Sequence, residues 1–115
     1  METILQRLMA IDGVTGVLLV GKDGLVVAST MENEDGELLG AMAAAAYDAS
    51  ARYIEQLGIG DVRHAMFETP GGTVQVTDGG DLLVVVRSAY SANIGRIRME
   101  AGQASLRLAE QIGSY

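Results

Sequence analysis

The stretch Gly16-Val17-Leu18-Leu19-Val20-Gly21-Lys22-Asp23 has nearly the residue types of a phosphate-binding loop: glycine, four spacers, glycine and lysine. In such a loop the spacer wraps backbone N–H groups around phosphates and the lysine reaches the outer ones. A following Ser or Thr hydroxyl holds Mg²⁺ where a helix starts. Here all four spacers are apolar with high strand propensity, so they read as a strand interior. Asp23 stands where the hydroxyl belongs and would set a negative charge against phosphate. No helix follows, because Leu25-Val26-Val27-Ala28 is another strand-like run. Lys22-Asp23-Gly24 is a hairpin turn, with Gly24 free to take positive φ. The nucleotide motif is a coincidence of spacing.

The remaining reactive side chains form no catalytic set. His64, the single histidine, lies in a strand-like run where alternation puts it beside Val62 and Met66. A lone histidine there reads as structural or interfacial. There is no cysteine, and Ser29, Ser50, Ser88, Ser91 and Ser105 lack the context of a nucleophile elbow. Glu32, Glu34, Asp35 and Glu37 cluster in one loop, but without the alternate spacing and final bidentate Glu of a calcium loop. They read as a solvated acidic loop whose last members favour a helix N-terminus. Asp78-Gly79-Gly80-Asp81 reads as a turn. The expectation is a protein without catalytic residues, metal site or cofactor.

Those residues must be positioned by a small fold. The 115 residues, 49% hydrophobic and 20% charged, suit one domain spanning 1–115 with its own core. The net charge of −7 argues against nucleic acid or an anionic membrane surface as partner. No apolar run is long enough to span a bilayer, and the N-terminal segment does not resemble a signal peptide. Together with the absence of cysteine, this leads us to expect a cytoplasmic protein.

The apolar periodicity predicts a helix over 3–12, with Thr3 and Gln6 at capping-box spacing. Strands follow at Val14–Gly21 and Leu25–Thr30. Asp35 is the predicted N-cap of a long helix ending near Leu57 and closed by Gly58. Three more strands are predicted at Val62–Thr69, Thr73–Thr77 and Leu82–Ser88, the last buried on both faces because its apolar run is unbroken. A final helix starts near Asn93. The order α-β-β-α-β-β-β-α implies an α+β fold: a five-stranded antiparallel sheet with helices on both faces.

The long helix carries two stripes. Leu38, Leu39, Met42, Ala46, Ala49, Tyr53 and Leu57 can face a sheet. The second stripe holds Gly40, Ala43, Ala44, Tyr47 and Ala51. Glycine costs roughly 1 kcal/mol against alanine inside a helix, so Gly40 is an odd solvent-facing residue. Small residues at this spacing either fill an exposed face with good helix formers or let a second helix approach, the same one in a symmetric partner.

The sequence resembles the roadblock / dynein light chain family, in its bacterial GTPase-regulator type. The resemblance runs from about Ile4 to Leu108. It is carried by residues 13–29 (GVTGVLLVGKDGLVVAS), the Ala-rich helix from Leu38, GDLLVVV at 80–86 and ANIGRIRME at 92–100. It implies a non-enzymatic dimer, with itself or a sister roadblock protein, that binds and regulates small Ras-like GTPases or acts as a scaffold. Its dimer joins third strands, which implies a seam of Arg63, His64, Ala65, Met66, Phe67 and Glu68. Its long helices lie side by side, which implies contact through the Gly40-Ala43-Ala44-Tyr47-Ala51 stripe. Tyr47, Asp48, Arg52 and Glu55 are the expected partner-facing patch. A dimeric scaffold without GTPase activation and a small-ligand sensory domain stay open as alternatives.

Overall fold

The computed structural model describes residues 1–31 and 34–113, with side chains through Glu110. Its elements are α1 (Glu2–Met9), β1 (Val14–Gly21), β2 (Val26–Ser29), α2 (Gly36–Leu57), β3 (His64–Thr69), β4 (Gly72–Gly79), β5 (Leu82–Ser88) and α3 (Ile94–Gly113). The strands form one antiparallel sheet in the order β2-β1-β5-β4-β3. This is the expected α-β-β-α-β-β-β-α fold. Glu32 of the acidic loop lies outside the described residues.

The unbroken apolar run of β5 explains the layering. With β1 on one side and β4 on the other, β5 needs apolar residues towards both faces. Leu82, Val84 and Val86 join Val17 and Leu19 under α1 and α3. Leu83 and Val85 join Leu18, Val20 and Val76 on the opposite face, with Ala44 and Tyr47 of α2. The α3 stripe of Ile97, Ala101, Ala104 and Leu108 is buried as its spacing requires.

The ends of α2 follow their capping residues. Asp35 accepts a hydrogen bond from the Leu38 N–H at 3.1 Å, and Gly58 closes the helix at φ 67°. The β1–β2 turn places Gly24 at φ 92°, as the hairpin demands.

Several boundaries differ from expectation, α1 ending at Met9 instead of residue 12 and β2 spanning only Val26–Ser29. The first helix starts at Glu2 and Met1 makes no side-chain cap bond, so Thr3 already sits inside the first turn and cannot form the capping box. The third strand starts at His64, two residues late. The Val62 carbonyl, just outside it, accepts the Tyr47 hydroxyl. The fourth strand runs on to Gly79, moving the turn to Gly80 and Asp81. Among the described residues no helix is long and apolar enough to cross a membrane.

Candidate partner-binding surface

The two stripes of α2 are reversed with respect to the sequence expectation. Gly40, Ala44 and Tyr47 face the chain's own sheet and are buried. A Cβ on Gly40 would collide with Val26 Cγ2, so only glycine lets the helix axis come this close to the β1–β2 hairpin. The reason is steric: Leu18, Val20, Leu83 and Val85 already fill this face, leaving room for small side chains. Gly40, Ala44 and Tyr47 are therefore unavailable to a partner helix, and Ala43 and Ala51 pack at the edge of the same cluster. The stripe assigned to the sheet turns outwards instead, with Leu38, Met42, Tyr53 and Leu57 each more than half exposed and Leu39 also exposed.

Beside that stripe the sheet is incompletely covered. The main contacts of α2 are with β1 and β2, and an apolar groove of about 350 Å³ opens over β4 and β3. Leu39, Met42 and Ala46 form its helical wall; Phe67, Val74 and Val76 lie on the sheet side. The strand beyond, β3, pairs only with β4 among the described strands and so presents a free edge. Its Met66 and Phe67 are 42% and 45% exposed. Bare apolar groups next to an unpaired strand edge are an association surface unless something covers them.

Polar networks fix the elements that frame this surface. The Tyr47 hydroxyl lies 2.6 Å from Asp78 Oδ2 and 2.8 Å from the Val62 carbonyl, and donates its proton to these acceptors. Lys22 Nζ pairs with Asp78 at 3.0 Å and sits 5.7 Å from the centre of the Tyr47 ring. Burial, then the hydrogen bond to Asp78, pushes the Tyr47 hydroxyl well above its ordinary pKa. Burial also pushes the Asp78 carboxyl up, but bonds from Tyr47, the Gly80 N–H and Lys22 outweigh it and hold the group below its usual range. The lysine that mimicked a phosphate ligand is thus a strut between a turn and β4.

Just before α2, Arg87 grips Glu34 with both terminal nitrogens, at 2.9 and 3.1 Å. Its Nε and Nη2 also donate to the Thr15 hydroxyl and carbonyl. The bidentate fork holds the loop before α2 onto the sheet, and the bond from Arg87 lowers the pKa of Glu34. His64 is tied to β4 through Nδ1 and Thr77 Oγ1 at 3.0 Å; burial first, then the charge of Arg98, lowers its pKa.

The expected patch is divided. Tyr47 points inwards, whereas Asp48, Arg52 and Glu55 are exposed together, one helical turn apart. Arg52 Nε pairs with Asp48 at 2.9 Å. At 100° per residue these three lie on the flank away from the groove. The residues missed by sequence reasoning are the outward Leu39, Met42, Tyr53 and Leu57. Gly40 was the available signal, because a glycine inside a helix marks the side of closest approach.

Comparison with known proteins matches this architecture. A family model described as the Roadblock/LC7 domain covers residues 1–87. The uncharacterized protein MJ0714 of Methanocaldococcus jannaschii is 38% identical over 105 residues, covering 90% of this chain and 89% of its own. Myxococcus xanthus MglB superposes with a TM-score of 0.89 at 22% identity, covering 98% of this chain and 94% of its own. The gliding protein MglB of Thermus thermophilus superposes with a TM-score of 0.84 at 19% identity, covering 95% of this chain and 85% of its own. At such identities the two structures speak for the fold alone. The chain belongs to the Roadblock/LC7 domain family.

Proposed function

We propose that this chain is a non-enzymatic cytoplasmic dimer that binds a small Ras-like GTPase and modulates its GTPase cycle. The observation that carries the dimer is the outward apolar stripe of α2 lying beside the groove and the free edge of β3. A second copy, or a sister roadblock protein, would pair its third strand there and lay its α2 against Leu39, Met42, Tyr53 and Leu57. These residues replace the inward stripe as the proposed helix contact. A stable interface of this kind buries about 1,600 Å² or more.

The GTPase half rests on the family resemblance and on the shared fold with MglB proteins. The partner surface proposed on α2 is Asp48, Arg52 and Glu55. Arg52 sits mid-helix and is held by Asp48, so it suits docking rather than insertion beside a phosphate. Activation would then come from ordering the GTPase's own catalytic residues.

Affinity capture from native extract tests this reading, run in parallel with a GTP analogue and with GDP. Recovery of a small GTPase mainly in one nucleotide state supports regulation by differential binding. Equal recovery in both supports a scaffold, and recovery of none removes the GTPase from the proposal. The groove itself favours one other reading, a site for a small apolar ligand. A thermal shift with metabolite fractions that persists in the dimer would support it.

A further inference from the structure

The outer side of α3 lies across the sheet from α2 and carries its own apolar line. Ile97, Ala101, Ala104 and Leu108 are buried against the sheet, which turns Met99 and Leu106 outwards, about two turns apart. They are 56% and 66% exposed. Gly102 stands between them, and a Cβ there would meet nothing of the chain within 4 Å. Charges follow one another along the flank beside this line, in the order Arg96, Glu100, Arg107 and Glu110. Arg96 and Glu100 share a cleft with α1, which fixes the flank on that side. Among the described residues none of the four forms an ion pair within the chain.

We infer that two copies of this chain pack α3 against α3 antiparallel, through Met99, Gly102 and Leu106, with a two-fold axis level with Gln103. The charges select the direction. Their signs alternate along the flank, so a reversed copy presents the opposite sign at each place. Arg96 comes level with the partner's Glu110, and Glu100 with the partner's Arg107, on both sides of the axis. A parallel pairing would set each of the four against its own kind. On the other flank Arg98 meets only the partner's uncharged Ser105 and Ala109.

Side-chain size agrees with this alignment. Leu106 comes level with the partner's Glu100, which puts it on the outer line between the partner's Met99 and Gly102. The missing side chain of Gly102 supplies the hole for that knob. Because the contact lies across the sheet from α2, it does not rest on the dimer reading above and would join two such dimers. A single helix pair covers less than a standard interface, so the step is weak and depends on concentration.

Charge exchange tests the contact. Arg107→Glu alone sets two glutamates against each other on both sides of the axis, and Glu100→Arg alone sets two arginines. Mixed together, the two variants attract at every one of these places. Residues 100 and 107 are about two turns apart on their own helix, so restoration in the mixture arises only between chains. Sedimentation across a concentration series, on proteins with unchanged urea midpoints, should show each variant weakened on the order of tenfold and the equimolar mixture restored. Leu106→Gln should weaken the same step. Loss in both variants without restoration overturns the antiparallel pairing, and association of all three variants as in wild type overturns the contact. Met42→Glu separates this inference from the dimer reading. If only the dimer exists, Met42→Glu weakens the sole association step and the α3 variants leave it unchanged. If only the α3 contact exists, the α3 variants weaken that step and Met42→Glu leaves it unchanged.

Discussion

The two apolar stripes of α2 follow opposite rules. The inward one is built of Gly40, Ala44 and Tyr47; the outward one carries Leu38, Leu39, Met42, Tyr53 and Leu57. An ordinary amphipathic helix buries its large side chains and exposes its small ones. The inversion teaches that the chain's own sheet is already full on that face, so the helix must come close. On the proposed dimer reading, the large residues left outside carry association energy instead of folding energy.

Gly40→Leu attacks the inward stripe and has the largest expected effect. The new side chain meets Val26 and Val20, and overpacking of this kind costs roughly 1–3 kcal/mol, only partly offset by the better helix propensity of leucine. Unfolding in urea should show a net loss of about 2 kcal/mol. An unchanged midpoint would mean the helix does not rest where the structure places it.

Met42→Glu strikes the other stripe, and the comparison predicts the opposite pattern. Met42 is 59% exposed, so the stability of the separated chain should stay within about 0.5 kcal/mol. Self-association should weaken on the order of tenfold or more, since a charge is forced into an apolar contact. Sedimentation across a concentration series measures it. A destabilised fold with normal association would reverse the assignment of the stripes.

The sequence could not tell these stripes apart, because both repeat at helical spacing and periodicity says nothing about which side is inside. Legibility was best where a local cause is sufficient. The unbroken Leu82–Val86 run, the Asp35 cap and the Gly58 stop placed their elements correctly. It was worst where a distant group intervenes. The Val62 carbonyl just before β3 is taken by the hydroxyl of Tyr47, fifteen residues away. Asp78, Lys22 and Tyr47 meet only through the sheet, so no spacing rule could join them. The outward surface was hidden for the same reason: exposure is a property of the packed sheet.

Tyr47→Phe sharpens the contrast inside the buried stripe. It keeps the ring packed and removes one donor from Asp78 and Val62, which should cost about 1 kcal/mol. Association should be untouched, because the hydroxyl points away from the groove.

Acid provides a smaller, graded probe of the anchors of α2. Glu34 and Asp78 both have lowered pKa values in the fold. Each adds stability that is present above its unfolded pKa, near 4, and is lost as pH falls through its folded pKa. Urea midpoints should therefore decline below about pH 4, and Arg87→Gln should remove the component owed to Glu34. A flat profile in wild type would detach the start and the middle of the helix from these carboxylates.

The smallest expected effect belongs to Arg52→Ala. The Asp48–Arg52 pair is exposed and spans one helical turn, so it contributes roughly 0.3–0.5 kcal/mol and is screened by salt. Neither stripe contains it, and neither folding nor self-association should respond measurably. That silence is what makes the substitution informative about the third side of α2. If Asp48, Arg52 and Glu55 dock a GTPase, Arg52→Ala should weaken capture while leaving the melting curve and the dimer unchanged. If capture is equally strong, the docking surface lies elsewhere, and the polar flank is a solvated side of a helix whose other two sides are occupied.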